Sequence, residues 1–178
     1  MKKKRLLIIP AKSHSQRIKN KNFKFFCGKP MIEYPYYTAI KSKMFDKIHI
    51  STESETVKKR LNKKEIKIDF LRPKKLTKTG VGIFEVYKFV WQEYKRKGLI
   101  FDEIWGLLPC TPLIDYLDLL KLKKDIEYNK LKKPIISVSK FNAPVEWAFK
   151  LNSKNKKLIP TNKKKQLLPS QQFKKSYY

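Results

Sequence analysis

A continuous apolar run near the start of the chain constrains the fold most. Residues 6–9 read Leu-Leu-Ile-Ile, and Pro10 ends the run. Apolar side chains on both faces of so short a segment are typical of a buried strand in a parallel sheet. Ligands of such sheets bind beyond the carboxyl ends of the strands. The residues that directly follow strands are therefore the first candidates for function.

Strand-like and helix-like segments alternate along the rest of the chain. We predict further strands at 47–51, 66–71, 101–108 and 134–138, and helices at about 31–43, 55–61, 83–97 and 116–129. Residues 144–178 read as short extended pieces and loops. This order predicts an α/β fold, in three layers, with a mostly parallel twisted sheet and helices on both faces, as in Rossmann-like folds. No internal repeat or linker divides the sequence, so we predict one domain over residues 1–178.

The charge of the chain is extreme. Lysine and arginine number 43 against 15 acidic residues, a formal net charge of +28. Such an excess raises the question of nucleic acid or an anionic membrane surface as a partner. The lysines, however, lie along the whole chain and form no single block. This distribution favours a general attraction for phosphate-bearing ligands, and a lysine-rich nucleic-acid-binding protein is kept as the alternative.

Other classes of protein find little support in the sequence. Cys27 and Cys110 are isolated, and His14 and His49 form no cluster with them, which disfavours a zinc site or a disulfide framework. The apolar stretch over residues 6–10 is too short for a signal peptide or a membrane span. We therefore expect a soluble, cytoplasmic protein.

The segment after the first strand carries the strongest chemical signal. Residues 10–22 read Pro-Ala-Lys-Ser-His-Ser-Gln-Arg-Ile-Lys-Asn-Lys-Asn, and here they are called the basic loop. Small residues allow close backbone approach, while Lys12, Arg17 and Lys21 could neutralise phosphate oxygens. No Walker A motif is present, which disfavours a P-loop enzyme. On charge alone, a solvated basic loop without a ligand is the alternative.

Several segments form a pattern when they are taken in chain order. They are Pro10-Ala11-Lys12, Ser15-Gln16-Arg17-Ile18, Lys21-Asn22, Gly28-Lys29-Pro30-Met31-Ile32, Ser51-Thr52-Glu53, Phe70-Leu71-Arg72-Pro73, Leu108-Pro109-Cys110-Thr111-Pro112 and Ser170-Gln171. Together they resemble the acylneuraminate cytidylyltransferase family, and the stretch from Phe141 to Phe149 is most similar to its pseudaminic acid branch. Three departures stand out. Lys12 replaces an arginine, Glu53 replaces an aspartate, and Thr77-Lys78-Thr79 replaces an acidic pair.

The resemblance implies a nucleotide-diphospho-sugar transferase fold and an enzyme that couples CTP to a nine-carbon acidic sugar. The sugar would be of the pseudaminic or sialic acid type, and the products would be a CMP-sugar and pyrophosphate. A nucleotidyltransferase for a different keto-sugar acid is a second alternative. The resemblance also implies Mg²⁺ as cofactor, with ligands in a segment beyond Tyr178, and a homodimer. On this basis the chain lacks the family's C-terminal end.

The resemblance assigns roles to single residues. Lys21 would hold the triphosphate and Lys12 would assist at the phosphates, which makes these two the expected catalytic residues. Residues expected at the cytosine and ribose are Asn22, Arg72 and the backbone of Ala11, and Ser15 would shape the phosphate loop. Gln171 and Tyr178, with residues 109–112, would face the sugar. The structural alternatives are a loop cap for Arg72, a turn residue for Asn22 and no role for Gln171.

Overall fold

A computed structural model of the chain describes residues 3–15, 18–130, 133–165 and 168–178. The chain divides into two compact units, Met1–Leu131 and Lys132–Tyr178. Each unit is described by itself below. The single domain over residues 1–178 therefore stays a prediction.

The strands, in chain order, are β1 (Arg5–Pro10), β2 (Phe25–Phe26), β3 (Lys29–Pro30), β4 (Lys47–Ser51), β5 (Glu103–Gly106), β6 (Phe149–Leu151) and β7 (Leu158–Pro160). The α-helices are α1 (Glu33–Ser42), α2 (Glu55–Asn62), α3 (Ile83–Arg96) and α4 (Tyr116–Tyr128). Short 3-10 helices lie at Lys21–Phe23, Lys74–Thr77, Val145–Trp147 and Ser170–Gln172.

Three parallel strands form the sheet of the first unit, in the order β4-β1-β5. Leu7 and Ile9 of the central strand β1 pack on one face with residues of α1 and α2. Leu6 and Ile8 pack on the other face with residues of α3. Helices thus cover both faces of a parallel sheet, which confirms the predicted three-layer α/β fold. These four residues of β1 are each at most 1% exposed, which explains the uninterrupted apolar run in the sequence.

A tight hairpin joins the basic loop to α1. Its strands β2 and β3 are connected by Cys27 and Gly28, whose φ angles are +42° and +82°. Positive φ at both central residues is the mark of a type I′ turn, which glycine adopts without strain. The hairpin leads the chain from the carboxyl end of β1 back to the start of α1.

The start of α2 follows the capping rule. Ser54 precedes the helix in an extended conformation, and its side chain accepts a hydrogen bond from the Val57 amide at 3.3 Å. The helix therefore begins directly after the end of β4, within four residues of Ser51. This geometry fixes the turn that carries Glu53.

Two predicted strands are wrong. Residues 66–71 form no strand, because the Ile66 amide donates to the Leu61 carbonyl and the Ile68 amide to the side chain of Asn62. Ile66 and Ile68 are nevertheless buried, so their apolar alternation reflects a loop anchored in the core. Residues 134–138 also form no strand, and Ile136 is 70% exposed. The strand predicted at 101–108 is shorter than expected and covers only β5.

The second unit contains one short hairpin and a few further hydrogen bonds and ring contacts. Strands β6 and β7 form an antiparallel hairpin. Ser139 and Tyr178 exchange backbone hydrogen bonds of 2.9 and 2.8 Å, and the Tyr178 ring lies 4.7 Å from that of Phe141. The Trp147 indole donates to the Leu168 carbonyl at 3.2 Å. These short pieces agree with the extended segments and loops predicted for residues 144–178.

Among the described helices, none combines the length and the apolar character that crossing a membrane requires.

Candidate functional site

A cavity of about 550 Å³ opens at the carboxyl end of the parallel sheet. Pro10, at the end of β1, lines it, as do Leu108 and Pro109, which follow β5. This is the edge at which parallel sheets bind their ligands. Five residues predicted from the sequence to contact a nucleotide also line the cavity: Lys12, Ser15, Lys21, Asn22 and Arg72.

Ala11, the remaining predicted nucleotide contact, lies behind the cavity wall. It is fully buried, and its amide donates to the Ser51 carbonyl at 2.8 Å. That bond extends the pairing of β1 with β4 by one residue. A contact between the Ala11 backbone and a ligand therefore stays a prediction, and the amide is already engaged.

Lys12 and Lys21 bring two positive charges to the cavity. In the part of the chain that the structure describes, neither forms a salt bridge. Lys21 also lies close enough to Cys110 for its charge to act on the thiol. Burial raises the pKa of Cys110, and the positive charge of Lys21 opposes that rise. Two half-buried cations without a carboxylate partner at a concave surface favour an anionic ligand.

Asn22 joins the basic loop to the segment after β5. Its side chain is 4% exposed, and Nδ2 donates to the Lys12 carbonyl at 2.9 Å. Its Oδ1 accepts from the Cys110 thiol at 3.4 Å, and its backbone carbonyl accepts from the Ile32 amide at 2.9 Å. Asn22 is therefore neither an ordinary turn residue nor a freely available base contact. It holds the backbone at Lys12 in place.

Arg72 is a buried cation in the wall of the cavity, with 5% of its surface exposed. Its Nη2 lies 3.1 Å from Oε2 of Glu53, and its amide donates to the Thr52 carbonyl at 2.9 Å. Burial lowers the pKa of Arg72, and the charge of Glu53 opposes that shift. Within the described residues, its Nε has no hydrogen-bond partner although it is buried.

Glu53 is a component that sequence reasoning noted only as a departure from a motif. Its Oε1 accepts from the amide of Ser13 at 2.8 Å and from the Ser13 hydroxyl at 2.6 Å. Burial alone would raise the pKa of Glu53, but the hydrogen bonds from Ser13 and the charge of Arg72 lower it overall. The carboxylate is thus held ionised at neutral pH. Its position directly after β4 was the signal that could have found it.

A further part of the cavity lining was not predicted from the sequence to contact a ligand. It contains apolar and polar side chains from the turn before α3 and from its first residues, together with the 3-10 helix that follows Pro73. No periodicity marks these residues as ligand contacts, because they reach the site only through the packing of α3 on the sheet. They are Leu76, Thr77, Lys78, Val81, Ile83 and Val86, and Ile18 lines the cavity from the basic loop.

A second cavity of about 570 Å³ adjoins the first and shares Lys12 and Thr77 with it. Its other lining residues include Ser13, His14 and Glu53. The basic loop therefore has a recess on each side. Arg17, also predicted to neutralise phosphate, lies outside the described residues.

Gln171 and Tyr178, the predicted sugar contacts, belong to the second unit. Gln171 lies in the 3-10 helix Ser170–Gln172, and Tyr178 pairs with Ser139. Because the two units are described separately, the structure does not relate these residues to the cavity. Their contact with a sugar stays a prediction.

Comparison with known proteins bears on the family. The sequence model described as cytidylyltransferase matches residues 6–89, the segment that contains the basic loop, Glu53 and Arg72. Over these residues the chain is similar to the cytidylyltransferase family, which confirms the resemblance predicted from the motifs.

Curated proteins that are similar to this chain are named for acidic sugars. It is 30% identical over 152 residues to the pseudaminic acid cytidylyltransferase of Campylobacter jejuni serotype O:2, covering 85% of this chain and 65% of that protein. It is 28% identical over 145 residues to the N-acylneuraminate cytidylyltransferase of Escherichia coli O18:K1:H7, covering 81% of this chain and 33% of the relative. The chain thus spans just under two thirds of the first of these relatives and a third of the second.

A solved structure confirms the fold. The CMP:2-keto-3-deoxy-manno-octonic acid synthetase, determined in complex with CTP, superposes with a TM-score of 0.59. The match covers 71% of this chain and 48% of the synthetase, at 18% sequence identity. At that identity the likeness establishes the shared α/β fold.

Proposed function

We propose that this chain binds CTP in the 550 Å³ cavity and transfers its cytidylyl group to a nine-carbon acidic sugar. The observation that carries the proposal is the convergence of Lys12, Ser15, Lys21, Asn22 and Arg72 on one cavity. These residues belong to the motifs that carry the family resemblance. Four of them lie in the basic loop, and Arg72 comes 50 residues later, yet all five line one cavity at the sheet edge where α/β folds bind ligands.

Lys12 and Lys21 fit the charge of the reaction. The anomeric hydroxyl of the sugar forms a bond to the α-phosphorus of CTP, and the bond from that phosphorus to the bridging oxygen breaks. Pyrophosphate leaves, and the proton of the hydroxyl passes to solvent. Catalysis of such transfers consists mainly of positioning the reactants and neutralising charge on the phosphates. The ammonium groups of Lys12 and Lys21 can neutralise that charge.

The remaining walls suit the nucleoside. Apolar residues such as Val81 and Val86 offer a surface for a flat base, and Arg72 supplies a buried donor at the wall beside them. Asn22 contributes by fixing the carbonyl of Lys12 and the thiol of Cys110. In this arrangement a buried polar group, rather than an apolar pocket alone, distinguishes one base from another.

The described residues form no magnesium site of their own. Over residues 3–15, 18–130, 133–165 and 168–178, no group of three or more His, Cys, Asp or Glu residues could hold a metal ion. Glu53, a carboxylate that lines the adjoining second cavity, is occupied by Ser13 and Arg72. The described residues therefore do not fit a resident Mg²⁺, and no step above depends on one.

We extend the proposal to the setting of the reaction. The names of the relatives support an acidic sugar of the pseudaminic or sialic acid type as acceptor. A cytoplasmic location, expected from the shortness of the apolar stretch over residues 6–10, and a homodimer, implied by the family resemblance, stay predictions. A panel of acidic sugars, including a different keto-sugar acid, with detection of released pyrophosphate, identifies the acceptor.

Thermal unfolding with CTP, UTP, ATP or GTP, each with and without MgCl₂, tests the nucleotide. Of the four triphosphates, we expect only CTP to raise the unfolding temperature. At about one hundred times its dissociation constant, CTP would add about 2.7 kcal/mol to the free energy of unfolding. Measuring all four triphosphates at one ionic strength separates a specific site from attraction by the lysine excess.

Two outcomes would contradict the proposed nucleotide site. Equal shifts with all four triphosphates would indicate unspecific binding to the charge of +28. No shift with CTP at saturating concentration would remove the proposal altogether. Tight binding of duplex or single-stranded DNA that weakens steeply with salt would favour the nucleic-acid alternative instead.

A further inference from the structure

Glu53 occupies a junction between two strand ends. It is the second residue after β4, and Ser13, which it contacts, is the third residue after β1. Arg72 is its other partner, and the Arg72 amide also donates a hydrogen bond to the carbonyl of Thr52, the residue before Glu53. The carboxylate therefore connects three separate segments of the chain at the edge of the nucleotide cavity.

The two carboxylate oxygens divide the contacts between them. Oε1 receives both hydrogen bonds from Ser13, at 2.8 Å from the amide and 2.6 Å from the hydroxyl. Oε2 receives the contact from Arg72 at 3.1 Å. Hydrogen bonds to an ionised acceptor are stronger than neutral ones, so this arrangement restrains both partners.

The partners of Glu53 are neighbours of the cavity wall or part of it. Ser13 directly follows Lys12, which lines the cavity, and Arg72 lines it as well. Asn22 holds the Lys12 carbonyl from the other side. The backbone at Lys12 and Ser13 is thus fixed at two points, by a neutral amide and by a carboxylate.

Stability gives no sufficient reason for this arrangement. Burying a guanidinium and a carboxylate costs desolvation that their attraction does not always repay. The buried Nε of Arg72, which lacks a partner in the described part of the chain, adds to that cost. A buried Arg72 placed at a cavity wall is better explained by what it does there for a ligand.

We propose that Glu53 is a positioning residue for CTP, because it sets the basic loop and Arg72 at a fixed separation across the nucleotide cavity. This inference rests on the proposed function. Glu53 acts through Ser13 and Arg72, which its two oxygens hold. Loss of its charge would release both at once, and the cavity would bind the nucleotide more weakly while the sheet and its helices stay folded.

The test compares Glu53→Gln with Glu55→Gln. Both variants lose one negative charge beside the second cavity, but Glu55 is exposed in the first turn of α2, whereas Glu53 bridges Ser13 and Arg72. We expect the Kd for CTP, measured by calorimetry, to rise about tenfold or more in Glu53→Gln and to change less than about twofold in Glu55→Gln. The unfolding temperature of each variant without nucleotide establishes that it is folded.

A double-mutant cycle of Glu53→Gln and Arg72→Lys tests whether Glu53 acts through Arg72 or whether its loss destabilises the cavity in general. If Glu53 acts through Arg72, the combined rise in Kd is smaller than the product of the two single rises. Ser13→Ala replaces Glu53→Gln if the latter does not fold. It removes the hydroxyl that donates to Oε1 of Glu53 and should weaken CTP binding in the same direction.

These experiments distinguish a failure of the proposed role of Glu53 from a failure of the proposed function. A wild-type chain that does not bind CTP overturns the proposed function. A wild-type chain that binds CTP, with Glu53→Gln equal to Glu55→Gln, overturns only the role of Glu53. Single effects that multiply in the double variant overturn it too, because they show that Glu53 and Arg72 act independently.

Discussion

Replacing Lys21 by alanine should remove most of the affinity for CTP and leave the fold intact. The Lys21 side chain lines the cavity, forms no salt bridge with any described residue, and lies near Cys110. A hydrogen bond to a charged group contributes about 1.5–3 kcal/mol, so the Kd should rise at least about tenfold and up to about 150-fold. Calorimetric titration with CTP measures the change, and unfolding without nucleotide should move by no more than about 0.5 kcal/mol.

Lys19→Ala is the matched control for that experiment. Lys19 lies in the same basic loop, is exposed, and is not among the residues that line either cavity. It should bind CTP as the wild type does, because only unspecific attraction depends on it. Equal losses in Lys19→Ala and Lys21→Ala would show that net charge, and not a defined phosphate site, holds the nucleotide.

A second large effect concerns acid stability and centres on His49. The ring is 1% exposed, stacks on Phe70 at 4.4 Å, and its Nδ1 lies 3.0 Å from the hydroxyl of Tyr94. The Tyr94 hydroxyl donates to Asp69 at 2.8 Å, so Nδ1 of His49 must be the donor to Tyr94. Its Nε2 is then a buried acceptor, without a partner in the part of the chain that the structure describes.

The burial of His49 makes the fold sensitive to pH below neutrality. Burial lowers the pKa of His49 to about 3, and the charge of Lys47 acts in the same direction against that of Asp69. The unfolded chain takes up this proton below about pH 6.5, whereas the folded chain stays neutral at His49 down to about pH 3. The unfolded state thus binds more protons, and stability is lost as the pH falls through this window.

Urea unfolding at pH 7 and pH 5 measures this contribution. Between these values the wild type should lose about 2 kcal/mol more of its free energy of unfolding than His49→Gln does, since only the wild type carries the shifted imidazole. An equal pH dependence in wild type and His49→Gln would contradict a neutral, buried His49.

The sequence predicted those parts of the fold in which local pattern and tertiary packing agree. The apolar run of β1 and the helical spacing of α3 match faces that are buried in the structure. The alternation of β4 correctly predicted a strand, although its last three residues are all buried. The prediction of a strand at 66–71 was wrong for a physical reason. Alternating burial of Ile66 and Ile68 does not require a ladder, and the amides of this segment bond locally instead.

The site divides in the same way between what was predictable and what was not. Lys12, Ser15, Lys21, Asn22 and Arg72 were predicted because they follow strands within a family motif, and they do line one cavity. The role of Glu53 depends on the distance between two strand ends, which no local pattern encodes. The apolar wall from Val81 to Val86 likewise depends on how α3 packs on the sheet.

Hydrogen–deuterium exchange with and without CTP tests most directly whether the nucleotide binds at this cavity. CTP should slow amide exchange between residues 10 and 22 and between 72 and 86, while exchange in α4 stays unchanged and UTP has little effect. These segments carry all of the lining residues except Leu108 and Pro109, whereas α4 contributes none. Protection confined to other segments, or equal protection by CTP and UTP, would contradict a specific CTP site at the carboxyl end of the sheet.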